Sequence, residues 1–306
     1  MVNQLKAGVI GAGVFGGYHA KQYANRDGAS LAGIFDLDPG RARAVADPLG
    51  AATFEILDDL IAACDVISVC SPASVHAAHA LAALKAGKPV YVEKPLAANL
   101  QEADQIVALA ARQGLVCASG HLERAVFRDM GLLAIPERPL RLEAVRNGPR
   151  SPRSLDVSVV LDLMIHDLDL ALTIAGAEPL AVEAEGGYDG NQTFDFVSAD
   201  ITFDNGFTVI AAASRVAPAR ERTMTVTYPS GQVCIDFVTR AFSNSTPFDL
   251  VADFDNTVGG RDPLGASLAA FLAAVVGGAG VQPLASAAQG AKALDLALGV
   301  EQAVTN

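Results

Sequence analysis

The first 120 residues alternate short apolar runs of strand character with segments that have the periodicity of amphipathic helices. Strands and helices in regular alternation fold into a parallel sheet that is covered by helices. The strand-like runs are Ala7–Ile10, Leu31–Phe35, Val66–Cys70, Val90–Val92 and Val116–Ala118. Residues 1–120 are therefore predicted to form a doubly wound α/β domain.

The pattern changes after Gly120. One strongly apolar helix, at about residues 157–175, precedes runs in which apolar and polar residues alternate, namely 195–203, 207–212 and 223–228. A period of two is typical of an antiparallel sheet with one buried face. Residues 121–306 are predicted to be an α+β domain with a large, mainly antiparallel sheet and two closing helices, at about 263–276 and 285–304. The polar face of this sheet makes it the expected interface of a homodimer or homotetramer.

Charge and cysteine usage exclude several classes of partner and site. The net charge of −12 repels polyanions, so neither nucleic acid nor an anionic membrane is an expected partner. The longest uncharged stretch, 264–282, contains three glycines and is predicted to be a buried helix rather than a membrane span. The four cysteines lack a C-x-x-C pair, which indicates reduced core thiols in a cytoplasmic protein. The chain enters its first strand directly, so we expect no leader segment.

A glycine-rich turn follows the first strand. Its glycines have separate roles in holding a pyrophosphate against the next helix, because Gly11 allows the tight turn, Gly13 the close backbone approach, and Gly16 the packing of helix on strand. Because the turn lies between a strand and a helix, it predicts a Rossmann dinucleotide site. The residues assigned to this part of the site are Gly11, Gly13, Val14, Phe15 and Gly16.

Asp36 ends the second strand, 20 positions after Gly16. A carboxylate there accepts hydrogen bonds from the ribose hydroxyls of adenosine and repels a 2′-phosphate, so it favours NAD over NADP. Arg41 and Arg43 lie close enough in sequence to keep NADP open. The alternative is that Asp36 merely caps the next helix, although Asp38 is the better candidate for that cap.

The apolar helix after residue 157 carries ionisable side chains on one stripe. At about 100° per residue, His166 lies about 40° from Asp162 and Asp169 about 20° on the other side, whereas Asp167 points elsewhere. Burying such groups without partners costs several kcal/mol each, so the stripe is expected to line a polar cavity or to bind something. A carboxylate one turn from an imidazole raises the histidine pKa and orients the ring, which suits a general base for an alcohol proton.

Two other interpretations of the stripe stay open. One is a His–Asp pair whose role in the core is purely structural. The other is a metal site, because an aspartate and a histidine one turn apart can both ligate zinc. No further histidine or cysteine ligand is obvious nearby, so no metal is predicted.

Glu93-Lys94-Pro95 follows the strand-like run Val90–Val92, at the carboxyl edge of the sheet where open α/β folds bind ligands. The Lys94 ammonium is placed to hydrogen-bond a reacting oxygen and to stabilise charge that builds on it during hydride transfer. A solvated lysine is the alternative. Pro95 fixes the local backbone and allows a cis bond.

Together these residues resemble the glucose–fructose oxidoreductase/inositol dehydrogenase family (Gfo/Idh/MocA). The resemblance spans the whole chain and consists of four motifs in order: Gly11 to Gly16, Cys70-Ser71-Pro72 with His76, Glu93-Lys94-Pro95, and Asp162 to Asp169. It implies an NAD-dependent enzyme that moves a hydride between nicotinamide and a secondary hydroxyl of a sugar, nucleotide sugar or cyclitol. The nicotinamide is expected at the cleft between the two domains.

The resemblance also implies roles for individual residues. Lys94, Asp162 and His166 are the catalytic set: His166 takes the hydroxyl proton, Asp162 orients it, and Lys94 polarises the same oxygen. The residues expected to line the cofactor are Ser71, Pro72, His76, Glu93 and Lys94. Those expected to touch substrate are His121 and Asp169.

Three segments look like the nucleotide-sugar branch of the family, which oxidises UDP-N-acetylglucosamine at its 3-hydroxyl: residues 120–124, 146–149 and 162–169. Arg124, Arg146 and Arg153 are then expected to meet a diphosphate or carboxylate, solvated arginines being the alternative. The chain departs from this branch where Ala125-Val126-Phe127 follows Arg124 in place of Phe-Asn-Pro. This departure bears on the substrate more than on the chemistry.

Two rival functions stay open. The first is an NAD-binding sensor that kept the fold without turnover, since a fold does not fix a function. Retention of Lys94, Asp162 and His166 together argues against a sensor, which has no need of an acid/base set. The second is an NADPH-dependent reductase of ketones or imines, which tighter binding of NADPH than of NADH would support.

Overall fold

The computed structural model describes residues 4–150, 157–278 and 280–305. Its strands are β1 (Leu5–Ile10), β2 (Ala29–Phe35), β3 (Ala52–Phe54), β4 (Val66–Val69), β5 (Val90–Val92), β6 (Cys117–Ser119), β7 (Arg141–Asn147), β8 (Pro179–Gly187), β9 (Phe196–Phe203), β10 (Thr208–Ser214), β11 (Glu221–Tyr228), β12 (Gly231–Asp236) and β13 (Phe242–Asn244). Its α-helices are α1 (Val14–Ala24), α2 (Pro39–Ala46), α3 (Leu57–Ala63), α4 (His76–Lys85), α5 (Leu100–Gln113), α6 (Glu123–Met130), α7 (Ile165–Ala175), α8 (Val258–Arg261), α9 (Pro263–Gly277) and α10 (Ala287–Thr305).

The chain divides into two compact units. Unit 1 comprises Met1–Leu122 and Asp262–Ala291, and unit 2 comprises Glu123–Arg261 and Lys292–Asn306. The sequence places a single boundary at residues 120/121 and assigns the helix at 263–276 to the second domain. The structure instead places α9 in unit 1.

Unit 1 is built on a six-stranded sheet in the order β3-β2-β1-β4-β5-β6, in which every neighbouring pair is parallel. The central strands are fully buried, as β4 and β5 are along their whole length, because helices cover both faces of such a sheet. This arrangement confirms the predicted doubly wound α/β fold. All parallel strands end at one edge, where the glycine turn, Asp36 and Lys94 follow their strands.

Helix α9 joins unit 1 through contacts that its composition alone does not reveal. The Phe271 ring packs edge-on against Tyr91, with 5.7 Å between ring centroids, and the Tyr91 hydroxyl lies 2.9 Å from Ser267 Oγ. The Gln22 amide donates to Asp262, and Arg26 donates to the carbonyl of Gly265. Because this helix is apolar on nearly every side, periodicity identifies its type but not the core that it enters.

Unit 2 contains a seven-stranded sheet in the order β13-β12-β11-β7-β10-β9-β8. Its described pairs are antiparallel apart from β7 with β10, which run parallel. One face is buried, as the alternating exposure along β10 and β11 shows. The predicted α+β fold with a large, mainly antiparallel sheet is thereby confirmed. In the described part of the chain no helix is long and apolar enough to cross a membrane.

Candidate functional site

The glycine turn of unit 1 has the geometry that the sequence predicts. Gly11 has a φ of +96°, and a Cβ there would lie 2.7 Å from the backbone carbonyl group of Cys70. A Cβ on Gly16 would lie 1.8 Å from the carbonyl oxygen of Gly11. Both positions therefore require glycine, because a side chain would collide with backbone that cannot move aside.

Gly13 is different, since an added Cβ would meet no protein atom within 4 Å. It is the N-cap residue of α1 and provides no side-chain cap, so the first backbone N–H groups of that helix have no side-chain acceptor at the cap position. Gly13 and Val14 are exposed, and Phe15 is partly exposed. An open, uncapped helix N-terminus suits the diphosphate of a dinucleotide, so these residues fit NAD.

Asp36 is held by the same turn. Its Oδ2 accepts a hydrogen bond from Ala12 N at 2.7 Å, and its Oδ1 accepts one from Asp38 N at 2.8 Å. The cap of α2 is Asp38, whose Oδ1 accepts from Gly40 N at 2.8 Å, so Asp36 is not consumed as a helix cap. Arg41 lies 3.4 Å from Asp36 Oδ1. Asp36 therefore sits in a fixed position beside the glycine turn, as recognition of a ribose requires.

Lys94 follows β5 and is partly buried, and the Lys94–Pro95 peptide bond is cis. Glu93 is only 6% exposed and turns into unit 1, where its Oε1 lies 2.8 Å from His19 Nε2. Its Oε2 accepts a long hydrogen bond, 3.3 Å, from Lys94 N. The expectation that Glu93 lines the cofactor gains no support from this orientation, because both carboxylate oxygens are directed at protein groups.

His76 is buried between two backbone carbonyl groups. Its Nδ1 lies 2.7 Å from the Pro95 oxygen and its Nε2 lies 2.7 Å from the Ser71 oxygen. Burial lowers the pKa of His76, although the two carbonyls oppose this shift. The sequence assigns His76 to the cofactor, whereas in the structure its ring ties the loop after β4 to the loop after β5. Ser71 is partly exposed and Pro72 exposed, as residues that line a ligand must be.

In unit 2 the predicted stripe begins in a π-helical turn, Val160–Met164, that leads into α7. Such turns occur mostly as single inserted turns and are frequent at functional sites. Asp162 lies in this turn and His166 one turn further on, and both are partly exposed. The structure thus keeps these two side chains accessible on a segment that is otherwise largely buried.

The other two acidic residues of the segment are buried in arginine pairs. Arg124 donates to both oxygens of Asp169, at 2.8 and 2.7 Å, and both residues are at most 5% exposed. The sequence places Asp169 on the stripe with His166 and expects both Arg124 and Asp169 to touch substrate. Their mutual bidentate pair is a different use of these groups, because a buried charge needs a partner close by.

Arg146 is also paired with protein carboxylates, in this case with two of them. It donates to both oxygens of Asp167, at 2.9 and 2.8 Å, and to both oxygens of Glu123, at 2.7 and 2.8 Å. The guanidinium is 3% exposed. The expectation that Arg146 meets a ligand diphosphate therefore gains no support, because two protein carboxylates already occupy it. Arg153 lies outside the described residues, and His121 is 2% exposed.

Sequence reasoning missed two residues next to the proposed catalytic ones. His19 contacts Glu93, the neighbour of Lys94, and Glu123 Oε1 lies 4.0 Å from His166 Nδ1. Burial alone would raise the pKa of Glu123, but Arg146 and His166 outweigh burial and hold it well below its usual range. Glu123 is therefore a permanent negative charge beside the imidazole. Neither residue lies in a pattern that periodicity detects, since both partners come from distant parts of the chain.

Among the described residues, no group of three or more His, Cys, Asp or Glu side chains is placed to hold a metal ion.

Two family models match the chain. Residues 5–121 match the model of the oxidoreductase family with an NAD-binding Rossmann fold, and residues 140–233 match the GFO/IDH/MocA C-terminal domain.

Individual relatives extend the match over most of the chain. The UDP-N-acetylglucosamine 3-dehydrogenase of Acidithiobacillus ferrooxidans is 39% identical over 239 residues, 76% of this chain and 74% of that protein. The scyllo-inositol 2-dehydrogenase (NAD(+)) of Bacillus subtilis is 28% identical over 284 residues, 83% and 82% of the two chains. A solved structure of the Acidithiobacillus enzyme superposes with a TM-score of 0.89 at 35% identity, covering 99% of this chain and 98% of that one.

Proposed function

Since this chain belongs to the Gfo/Idh/MocA family of NAD-binding oxidoreductases, we propose that it oxidises a secondary hydroxyl of a nucleotide sugar. Bound NAD supplies the hydride acceptor. The observation that carries the assignment of catalytic roles is the division of the four ionisable residues at 160–175. Asp167 and Asp169 are buried in arginine pairs, whereas Asp162 and His166 stay accessible.

His166 is the general base of this proposal. Oxidation of an alcohol releases a proton as well as a hydride, and an imidazole is well matched to receive that proton near neutral pH. Asp162, one turn earlier, orients the ring, and the carboxylate of Glu123 favours the imidazolium that results. The proton thus moves from the substrate hydroxyl to His166 as the hydride leaves the carbon that bears this hydroxyl.

Lys94 is the electrostatic partner in the same step. Its ammonium donates a hydrogen bond to the reacting oxygen, which carries increasing negative charge as its proton leaves. The loop that bears Lys94 is fixed on two sides, by the His76 ring at Pro95 O and by the Glu93 side chain at Lys94 N. A fixed donor stabilises the transition state more than a mobile one, because no reorganisation accompanies the reaction.

The substrate class follows from the relatives rather than from a described contact. The 39% identical relative is named for UDP-N-acetylglucosamine and a 28% identical one for scyllo-inositol. We favour the nucleotide sugar because the more similar relative is the one that acts on it. Arg124 and Arg146, which the sequence assigns to a diphosphate, do not support this choice, because both are paired with protein carboxylates. The assignment of Arg153 stays a prediction.

The test is a dehydrogenase screen of UDP-N-acetylglucosamine, other nucleotide sugars, inositols and free aldoses with NAD and with NADP, followed by reduced-nicotinamide absorbance. His166→Ala and Lys94→Ala are expected to reduce turnover to a small residual rate and to leave the dissociation constant of NAD within about threefold of wild type. Normal turnover in both variants refutes the assigned roles. Binding of NAD without turnover of any compound would instead favour the sensor.

Two further proposals concern the assembly and its location. The partly exposed face of the unit 2 sheet, which includes the threonines of β11, is proposed to form a homodimer or homotetramer interface. Thr225→Lys, which puts a charge on this face, should shift the mass measured by light scattering towards the monomer. The four free thiols are consistent with a cytoplasmic protein. Fractionation of the cells that make it tests this location.

A further inference from the structure

A buried chain of hydrogen bonds runs through unit 1 to the residue before Lys94. Its members are Tyr23, Ser68, His19 and Glu93. The Tyr23 hydroxyl lies 2.8 Å from Ser68 Oγ, Ser68 Oγ lies 3.0 Å from His19 Nδ1, and His19 Nε2 lies 2.8 Å from Glu93 Oε1. Three of the four residues have no exposed surface, and Glu93 is 6% exposed. Nothing in the proposed reaction uses His19, although it is a buried titratable group.

One order of donors satisfies all four side chains while the imidazole stays neutral. Glu93 accepts from His19 Nε2–H, His19 Nδ1 accepts from the Ser68 hydroxyl, and Ser68 Oγ accepts from the Tyr23 hydroxyl. Burial raises the pKa of the Tyr23 phenol, so it remains protonated and able to donate at the start of the chain. Each bond polarises the next, and all of them point at the Glu93 carboxylate.

The His19 ring has little freedom to move. Besides its two hydrogen bonds, it packs against the Tyr91 ring at an interplanar angle of 63°, with 5.3 Å between centroids. A side chain that is buried and bonded at both ring nitrogens is held in one rotamer. His19 therefore provides a rigid support for whatever its Nε2 contacts.

That contact, Glu93, is locked between His19 and the backbone of the catalytic segment. Its Oε2 accepts from Lys94 N at 3.3 Å, and a Cβ at Gly120 would lie 2.7 Å from this oxygen. The carboxylate thus occupies space that is free only because residue 120, directly after β6, is a glycine. Its position sets the direction in which the backbone leaves β5, and with it the starting point of the Lys94 side chain.

We propose that His19 is a positioning residue for Lys94, acting through the Glu93 carboxylate that it holds. The inference rests on the proposed function, in which the Lys94 ammonium acts on the reacting oxygen. It also gives helix α1 a second role, because Gly13 at its N-terminus faces the cofactor diphosphate while His19, farther along α1, fixes the strand end that carries Lys94. Cofactor binding and the position of the catalytic ammonium thereby share one rigid helix.

The first test observes Lys94 directly and needs neither substrate nor cofactor. The chain has six lysines, so reductive ¹³C-methylation gives a small set of NMR signals, and loss of a signal in Lys94→Arg identifies Lys94. His19→Leu is expected to shift the Lys94 signal and to leave the other five in place. Tyr91→Phe is the matched control, because it deletes a buried hydroxyl that bonds Ser267 and leaves the His19–Glu93 contact intact.

The second test is kinetic and uses UDP-N-acetylglucosamine with NAD. His19→Leu is expected to lower kcat by on the order of 10- to 100-fold, as misplacement of a catalytic group does, with thermal unfolding and NAD affinity followed in parallel. His19→Gln, whose amide retains a donor at the position of Nε2, should restore most of kcat. In the Lys94→Ala background, His19→Leu should have no further effect, because its only route to the reaction has been removed.

Two outcomes overturn the inference: an unchanged Lys94 signal in His19→Leu, or an equal loss of activity from His19→Leu with and without Lys94. Should His19→Leu fail to fold, Ser68→Ala takes its place, since it removes the donor to Nδ1 and the acceptor of Tyr23 but keeps the His19–Glu93 contact, and it should move the same NMR signal by less. An unchanged signal in Ser68→Ala also counts against the inference. Failure of the proposed function is distinct, because Lys94→Ala would then keep full turnover while the NMR result still reports on His19.

Discussion

Each unit places a carboxylate beside a proposed catalytic residue, but the two carboxylates are stabilised in opposite ways. In unit 1, Glu93 accepts from a chain of side chains that is uncharged in the donor order given above, ending in His19. In unit 2, Glu123 is bound by the positively charged Arg146, which is shared with Asp167. Hydrogen bonds from neutral donors fix direction, whereas an ion pair mainly balances charge. We therefore expect the stability of unit 1 to depend on the hydrogen-bond donors to Glu93, and the stability of unit 2 to depend on the charge that pairs with Glu123.

The largest expected effect is the removal of the central charge of unit 2. Arg146→Met leaves Asp167 and Glu123 without their counter-charge in a buried site, which should cost about 3–5 kcal/mol of unfolding free energy. Urea denaturation measures the change. Arg150→Met is the matched control in the same unit, because its exposed pair with Asp189 should contribute less than about 1 kcal/mol. Equal losses in the two variants would remove the contrast between the units.

The next effect compares one chemical change at both carboxylates. Glu123→Gln replaces a charged acceptor of Arg146 by a neutral one and should cost about 2 kcal/mol, because hydrogen bonds to charged groups are the stronger ones. Glu93→Gln keeps an oxygen that accepts from His19 and should cost about 1 kcal/mol. Chemical denaturation of both variants measures the order of the two values. The reverse order would mean that the charge of Glu93 matters more than its direction.

A third prediction concerns the pH dependence of the reaction. His166 must be unprotonated to take the alcohol proton, and Glu123 at 4.0 Å favours its protonated form. Glu123→Gln removes this negative charge and is therefore expected to move the acidic limb of kcat/KM to lower pH. Arg146, Arg222 and Asp167, which also interact electrostatically with Glu123, are unchanged.

Glu178→Gln is the control for that profile, since its carboxylate is exposed and pairs with Lys292. Its acidic limb should coincide with that of wild type. A limb that stays in place in Glu123→Gln would show that the titrating base is not the group beside Glu123.

The smallest expected effect lies at the far end of the unit 1 chain. Tyr23→Phe removes one donor to Ser68 and keeps the ring, so it should cost about 1 kcal/mol of stability. Because Ser68 still donates to His19, kcat should stay within about threefold of wild type. Thermal unfolding and steady-state kinetics of the same preparation measure both values. A larger loss of kcat than of stability would mean that the whole chain, and not His19 alone, sets the position of Lys94.

The sequence predicts five of the six strands of unit 1, because the strands of a doubly wound sheet are continuous apolar runs. It misses the short edge strand β3, none of whose residues is buried. In unit 2 the prediction misses β7, since Arg146 occupies an inward position of a strand whose outward positions, apart from Val145, are also polar. It also misses the edge strand β8, where exposed residues outnumber partly buried ones and no apolar alternation remains. The burial of a charged residue and the exposure of an edge strand depend on tertiary structure, so a local sequence pattern does not reveal them.

The same limit applies to the candidate site. Helical periodicity separates Asp167 from the stripe and places Asp169 on it, but it does not show that Asp169 is paired with Arg124. The periodicity cannot reveal that pair, because the guanidinium comes from 45 residues away. His19 is hidden in a similar way, since its partner Glu93 lies 74 residues further along the chain. Side chains that contact the ligand are easier to infer than those that hold them in place.

The order of segments in unit 1 has a consequence for how this protein is made. Its sheet is complete at Ser119, but α9, which covers Tyr91, is encoded after the whole of residues 123–261. At a synthesis rate of about 5–20 residues per second, the nascent N-terminal unit waits on the order of ten seconds on the ribosome before its last helix emerges. Throughout that time the face of the sheet that will receive Phe271 is without its partner, and a chaperone that shields apolar surface would find its substrate there.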